Sequence, residues 1–356
     1  MAEISLCMIV KNEEAVLSRC LDSVLNIVDE IIIVDTGSTD NTKKIAKQYT
    51  DKVYDFEWVD DFSKARNFSF SLATKDYIIW LDADDVIMEE DAIKLIEFKK
   101  SLLSNYDLVS MNYDVGFDEN GNLTLSYYRE RIFKRIMNYQ WVEPVHEVIP
   151  LQGNIYYLDA SITHKKEHVN EEGRNIRIYE NILAKGESLS TRGTYYYARE
   201  LYYNKRYEDA IKYFNDFLDS NKGWIEDCIN ACEMISHCYS QLKDEKSSLK
   251  SLFRSFEYEV PRSNICCEIG KYYFNREDYN SAIFWYKLAI QQKSTLQKSG
   301  FVYHDYYGYI PNIQLCVCYH RLGNIGEAIK YNEIAGTYKP NDRAFLYNKD
   351  YFSKNE

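Results

Sequence analysis

Asp82-Ala83-Asp84-Asp85 directly follows the apolar run Tyr77-Ile78-Ile79-Trp80-Leu81. Two carboxylates one residue apart at a strand end reach the same point, and only a dication or hydrogen-bonded sugar hydroxyls make their repulsion tolerable there. Mg²⁺ or Mn²⁺ held by one or two carboxylates, with diphosphate oxygens completing the octahedron, is the economical reading. A solvated turn that caps the next helix is the competing one, because an isolated D-x-D is a common triplet. A second acidic strand end stands upstream, where Ile32-Ile33-Val34-Asp35 runs into Thr36-Gly37-Ser38-Thr39-Asp40-Asn41-Thr42. A carboxylate there can accept from a uracil imide N–H or a ribose hydroxyl, although Ser38 to Thr42 also read simply as helix caps.

Short β-type runs alternating with helical-period segments must position these acids, the pattern of a mainly parallel sheet covered by helices. Strands are expected at 4–10, 30–35, 52–55, 77–82 and 107–115, and helices at 14–25, 41–49, around 62–72 and at 91–103. Asn120-Gly121 marks a hairpin whose returning strand spans 123–133. In such sheets ligands bind at the carboxyl ends of strands, so Asp35 and Asp82 are expected to open onto one crevice. The segment 141–164, with His146 and His164 and then His168 just beyond, reads as an irregular lid or floor.

From about residue 171 the pattern is helical throughout. Segments 202–214, 240–252, 273–286 and 320–332 share one layout, and their small residues Ala210, Ser248, Ala282 and Ala328 lie 38, 34 and 46 apart. Two intervals are close to the 34-residue tetratricopeptide period, and the segment resembles that family, with Gly323 at the usual turn and Pro340 at a repeat end. The 33 tyrosines, concentrated after residue 195, fit stacked helices packing through their rings.

The strand end Val10-Lys11-Asn12-Glu13, the Asp35 turn, Asp61-Phe62-Ser63-Lys64-Ala65-Arg66-Asn67 and the D-x-D, in this order, resemble the family 2 glycosyltransferases with the GT-A fold. The resemblance implies an α/β, Rossmann-like domain at 1–185 followed by an α-helical repeat domain at 186–356. It places Val10, Asn12, Glu13 and Asp35 at the nucleoside of a UDP-sugar, and Arg66 and Asn67 near its diphosphate or sugar. The D-x-D falls on Asp82, Ala83 and Asp84, with Asp82 and Asp84 toward Mn²⁺ or Mg²⁺. Trp141 to Glu147 resembles the Val-His-Glu segment of tetratricopeptide-fused, peptide-modifying transferases, which makes His146, and with it His164, further metal or diphosphate ligands. An inverting transfer needs a base, for which Glu147 and then Glu143 are the expected residues, surface or ion-paired carboxylates being the bland reading of both. The acceptor implied is a Cys or Ser side chain of a peptide or protein, with saccharide and lipid-linked acceptors left open; the repeats would hold it or mediate a homodimer.

Other classes fit less well. A net charge of -12 disfavours a nucleic-acid binder. The absence of a glycine-rich loop after the first strand disfavours a nucleotidyltransferase, and the joint retention of Asp35, Arg66, Asn67, Asp82 and Asp84 disfavours a scaffold carrying a relic domain. Without an apolar run of membrane-spanning length or a signal-type start, the chain is expected to be cytoplasmic, and its nine cysteines reduced and mostly buried.

Overall fold

The computed structural model describes residues 2–101, 103–167, 171, 173–292 and 300–354; His168 lies outside them. The chain forms two compact units, Met1–Gly116 with Ser126–Glu187, and Phe117–Leu125 with Ser188–Glu356. That residues 117–125 belong with the second unit was not expected. The reason is electrostatic: Asp118 and Glu119 pair with Lys339 and Arg343 at 2.9 and 3.1 Å.

The first unit runs β1 (Ile4–Val10), α1 (Leu17–Asp22), β2 (Glu30–Asp35), α2 (Thr42–Tyr49), β3 (Val53–Asp55), α3 (Phe62–Ser71), β4 (Tyr77–Trp80), β5 (Asp85–Val86), α4 (Glu89–Ser101), β6 (Leu108–Phe117), β7 (Leu123–Lys134), β8 (Ile155–His164) and α5 (Arg174–Ala184). The strands order as β3-β2-β1-β4-β7-β6-β8-β5. β1 is parallel to β2 and β4, while β7 and β5 run antiparallel to their neighbours β4 and β8. Because both faces of the central strands are covered, β2 is buried at every position. Leu6, Met8, Ile33 and Ile79 pack in one core with Leu17, Leu21 and Leu95; Cys7, Ile32, Ile78 and Trp80 pack in another with Phe70, Phe133 and Trp141.

Two elements differ from expectation. The helix expected at 14–25 is confined to 17–22; before it, the N–H groups of Asn12, Glu13 and Glu14 are held by the side chains of Ser38, Thr42 and Asp40. The irregular segment expected at 141–164 ends early: 155–164 is a strand, with a register shift against β6 after Leu158, whose alternating Leu158, Ala160 and Ile162 are buried.

The second unit contains α6 (Thr191–Tyr203), α7 (Tyr207–Asp219), α8 (Ile225–Gln241), α9 (Glu245–Arg254), α10 (Ser263–Asn275), α11 (Tyr279–Gln291), α12 (Tyr309–Arg321), α13 (Ile325–Tyr338) and α14 (Arg343–Lys354). Ala210, Ser248, Ala282 and Ala328 are each buried in the second helix of a pair, where a small side chain lets the helices approach. The turn before each of these helices holds one residue at positive φ: Lys205, Lys243, Glu277 and Gly323. These repeat the 38, 34 and 46 spacing of the small residues. Glycine takes that conformation without a Cβ penalty only at the last turn. Asp244, Asp278 and Asn324 then cap the helices by accepting from the N–H three residues on. No helix among the described residues is long and apolar enough to cross a membrane.

Candidate active site

Val10 stands opposite Asp35 at the carboxyl ends of β1 and β2, while β4 ends at Trp80 opposite Cys7, and two loops lock together above β1 and β2. Asn12, in the left-handed region at φ 56, accepts from the Thr39 N–H at 2.8 Å and donates its own N–H to Ser38 Oγ at 2.9 Å. Asp35 is 1% exposed. Its Oδ1 accepts from the N–H groups of Gly37 and Ser38, whereas its buried Oδ2 has no hydrogen-bond partner. An orphaned carboxylate oxygen in a dry position is costly unless a ligand donor reaches it.

Beside this loop pair lies a crevice of about 570 Å³, walled by residues that include Val10, Asn12, Glu13, Arg66, Asp82, Ala83, Asp84 and His164. That volume is within the range of small-molecule sites. Its lining also holds Lys11, Lys166, Glu171 and Arg174, so that four acids stand among four bases. Burial, reinforced by the carboxylates of Asp84, Asp82 and Asp40, pushes Glu13 up to about 7.

One wall is built from the pairing of β5 with β8, which sets Asp85 opposite His164. His164 Nδ1 lies 3.3 Å from Asp84 Oδ1, 3.4 Å from Asp85 Oδ1 and 2.9 Å from the Tyr113 hydroxyl. Burial disfavours the imidazolium, yet hydrogen bonds to Asp84 and Asp85 push His164 up to about 10. Asp85 itself is fully buried and fully engaged. Its Oδ2 accepts from Arg131 Nη1 and the Asp82 N–H, both at 3.0 Å, and its Oδ1 accepts from Tyr113 at 2.8 Å. The guanidinium of Arg131, also fully buried, lies between the rings of Trp80 and Tyr113, 4.1 and 4.3 Å from their centroids.

α3 supplies the opposite wall. Asp61 caps it by accepting from the Lys64 N–H, and its buried face turns Arg66 inward. Arg66 donates from Nη2 to Asp82 Oδ1 at 2.8 Å and from Nε to Glu147 Oε1 at 2.6 Å, packed against Trp80 and Trp141. Burial opposes ionisation of Asp82, but Arg66 and Arg131 hold its carboxyl below the usual range.

Residues 5–152 match the glycosyl transferase family 2 model, and residues 263–295 match a tetratricopeptide repeat. The first unit is a family 2 glycosyltransferase domain. The chain is 38% identical over 150 residues to a TPR repeat-containing protein of Synechococcus elongatus, covering 42% of this chain and 36% of that one. It is 28% identical over 229 residues to the SPbeta prophage-derived glycosyltransferase SunS of Bacillus subtilis, covering 60% and 53%. An uncharacterized glycosyltransferase of Rickettsia felis is 42% identical over 90 residues, 25% of this chain and 31% of that one. The chain thus spans about half or less of the length of these relatives.

Of the residues singled out from the sequence, the glycosyltransferase domain brings Val10, Asn12, Glu13, Arg66, Asp82, Ala83, Asp84 and His164 to one crevice. Others stand behind it, Asp35 among them: expected to open onto the same crevice as Asp82, it is buried under its own turn and does not line the crevice. Asn67 grips the backbone of Trp141, donating to its carbonyl and accepting from its N–H. Glu147 is 8% exposed and reaches the site through Arg66. Glu143 and His146 sit at φ 76 and 53 in a loop closed by the pairing of Val142 with Val148, and neither lines the crevice. Such conformations cost about 1–3 kcal/mol each and persist only where the surroundings enforce them.

Asp85, Arg131 and Tyr113 were not anticipated as site residues. Asp85 had a visible signal in its adjacency to the D-x-D; Arg131 and Tyr113 had none. The donor set fits a divalent cation. A carboxylate oxygen of Asp84, one of Asp85 and a nitrogen of His164 lie within 4.8 Å of one another, and hard oxygens with one imidazole suit Mn²⁺ or Mg²⁺. Asp85 has both oxygens committed, so Asp84 and His164 are the pair open to an ion.

Proposed function

We propose that the domain moves a hexose or N-acetylhexosamine, with inversion, from a UDP-sugar to a Cys or Ser side chain of a peptide or protein. One observation carries the donor half: Asp84 and His164 converge in the crevice, and the Asp35 turn that locks onto Asn12 beside it holds an orphaned carboxylate oxygen. In this reading Asp35 accepts from the uracil imide or a ribose hydroxyl. Asp84 and His164 hold Mn²⁺ or Mg²⁺, which supplies positive charge against the leaving diphosphate. Asp82, fixed by Arg66, faces the donor sugar. Glu147 takes the acceptor proton, with Glu143 the second choice; its contact with Arg66 orients it.

The peptide acceptor draws support from the sequence resemblance to enzymes that glycosylate bacteriocin-like peptides, and from helical repeats, which suit extended chains. Saccharide and lipid-linked acceptors are the alternatives that an acceptor screen separates. The donor half is tested by thermal denaturation with UDP, GDP and UDP-sugars, with and without Mn²⁺. Only the uridine ligands with Mn²⁺ are expected to raise the melting temperature, and Asp84→Ala should abolish the rise. Transfer that persists unchanged in EDTA, or in Asp84→Ala, would sink the metal role.

A further inference from the structure

The crevice of the glycosyltransferase domain carries a flat surface to which the metal and the acids give no role. Among the described residues that line it, Phe62 holds the only ring apart from the His164 imidazole. Phe62 opens α3, where its N–H donates to the Pro144 carbonyl at 2.9 Å and Asp61 caps the turn. Trp58 meets its ring at 66°, with centroids 4.7 Å apart. The guanidinium carbon of Arg174 lies over the Phe62 ring, 4.7 Å from its centroid, and Arg174 lines the crevice beside it.

The topology puts this pair at the nucleoside end. β3, β2, β1 and β4 are parallel neighbours, so α3, which returns the chain from β3 to β4, runs against them and starts at their carboxyl ends. It packs on β1 and β2, the strands that lead into the Asn12 loop and the Asp35 turn, and Thr36 of that turn lines the crevice as well. Asp84 and His164 stand instead where β5 pairs with β8. One turn of α3, about 6 Å, separates Phe62 from Arg66 and its contact with Asp82. Arg174 is the first residue of α5, a helix anchored by the buried Ile176, Ile178 and Tyr179. Its charge is partly answered already: a hydrogen bond from Arg177, with the charges of Arg174 and Lys11, holds the Glu171 carboxyl below its usual range.

We infer that the guanidinium of Arg174, backed by the ring of Phe62, is the platform on which the base of the donor nucleotide stacks. Every nucleobase has a π-face, and aromatic rings and arginine planes are the side chains that cover it. In this arrangement the Arg174–Phe62 pair covers the face of the base, and the Asp35 turn meets its edge. A phosphate contact is the other use of an arginine in such a crevice. Phosphate is recognised by the N–H edge of a guanidinium, whereas Arg174 is held against a ring and donates from Nε to Asn175 Oδ1 at 3.4 Å. The assignment rests on the nucleotide-donor reading and adds to it the residues that hold the base.

Calorimetric titration of the full chain with UDP and with inorganic pyrophosphate, each with Mn²⁺, tests this. Arg174→Lys keeps the charge but not the plane, and Phe62→Leu keeps the bulk but not the ring. Each should weaken UDP binding by about tenfold and leave pyrophosphate, which has no base, within about twofold of the wild type. Retained pyrophosphate binding and melting temperature show that the variants are folded. Undiminished UDP binding by either variant would overturn the platform. So would an equal loss of UDP and pyrophosphate in a folded Arg174→Lys, the mark of a phosphate contact. The donor reading fails separately: a wild-type chain that binds pyrophosphate with Mn²⁺ but no nucleoside diphosphate would remove that reading and the platform with it.

Discussion

The two units handle buried charge in opposite ways. In the glycosyltransferase domain, carboxylates and guanidinium groups distant in sequence converge on one point: Arg66 with Glu147 across 81 residues, His164 with Asp85 across 79, Arg131 with Asp85 across 46. In the helical unit, polar bridges span about one repeat, as from Tyr195 to Asn230 or from Asn264 to Glu233. Cohesion there comes from small residues and rings recurring at repeat spacing, such as the fully buried Tyr195 and Tyr286. A long-range constellation is precise and brittle, because each member fixes the others. A stack of near-identical pairs is tolerant, because a defect is felt mainly by its neighbours.

The sharpest way to break this comparison is Arg66→Lys. The substitution keeps the charge but loses the fork that joins Asp82 to Glu147 and the packing between two indoles. Transfer efficiency, kcat/KM, should fall by about 100-fold or more; a near-normal rate would show that the constellation is not brittle. Gly270→Ala probes the other side. A Cβ there would meet the ring of the buried Tyr286 at 2.8 Å, so stability of the helical unit should drop by about 1–3 kcal/mol. Denaturant unfolding reads that loss, and an unchanged response to UDP with Mn²⁺ shows that it stays local.

Tyr113→Phe sharpens the account of the crevice. It removes only the hydroxyl that links Asp85 to His164, and Mn²⁺ affinity followed by electron paramagnetic resonance should weaken by about tenfold. Equal affinity would mean that the network behind His164 does not orient it. The smallest effect concerns Glu30, at the opposite, amino-terminal end of β2. Burial opposes its ionisation, but hydrogen bonds from Lys52, Ser5 and Thr74 lower its carboxyl from 4.5 to about 2. A depressed acid stabilises the fold fully above its unfolded value, and the contribution is lost as the pH falls through the folded one. Glu30→Gln should therefore cost about 1–2 kcal/mol at pH 7, a gap that closes between about pH 4.5 and pH 2; a gap independent of pH would exclude the charge as its cause.

Much of this architecture was legible beforehand. The strands ending at Val10, Asp35 and Trp80 are continuous apolar runs bounded by polar turns, and the helix pairs announce themselves through Ala210, Ser248, Ala282 and Ala328. Other features left weaker traces. Leu158, Ala160 and Ile162 alternate as a strand should, but polar residues between them mask the pattern. The segment before α1 is held by side chains of the 38–42 loop that capture N–H groups 26 to 29 residues away in sequence, which no local propensity records. The grouping of residues 117–125 with the helices depends on Lys339 and Arg343, more than 200 positions along the chain.

The sequence by itself determined the alternation of strand and helix, the acidic tip after Trp80 and Leu81, and the period of the repeats, because each is a local pattern of residue types. The tertiary structure alone decided which acids are spent and which are offered. Asp82 and Asp85 are taken by Arg66 and Arg131, while Asp84 stands with His164 in the crevice. Charge compensation depends on distance across folded chain, and identical carboxylates become anchors or ligand sites according to whether a cation has already reached them.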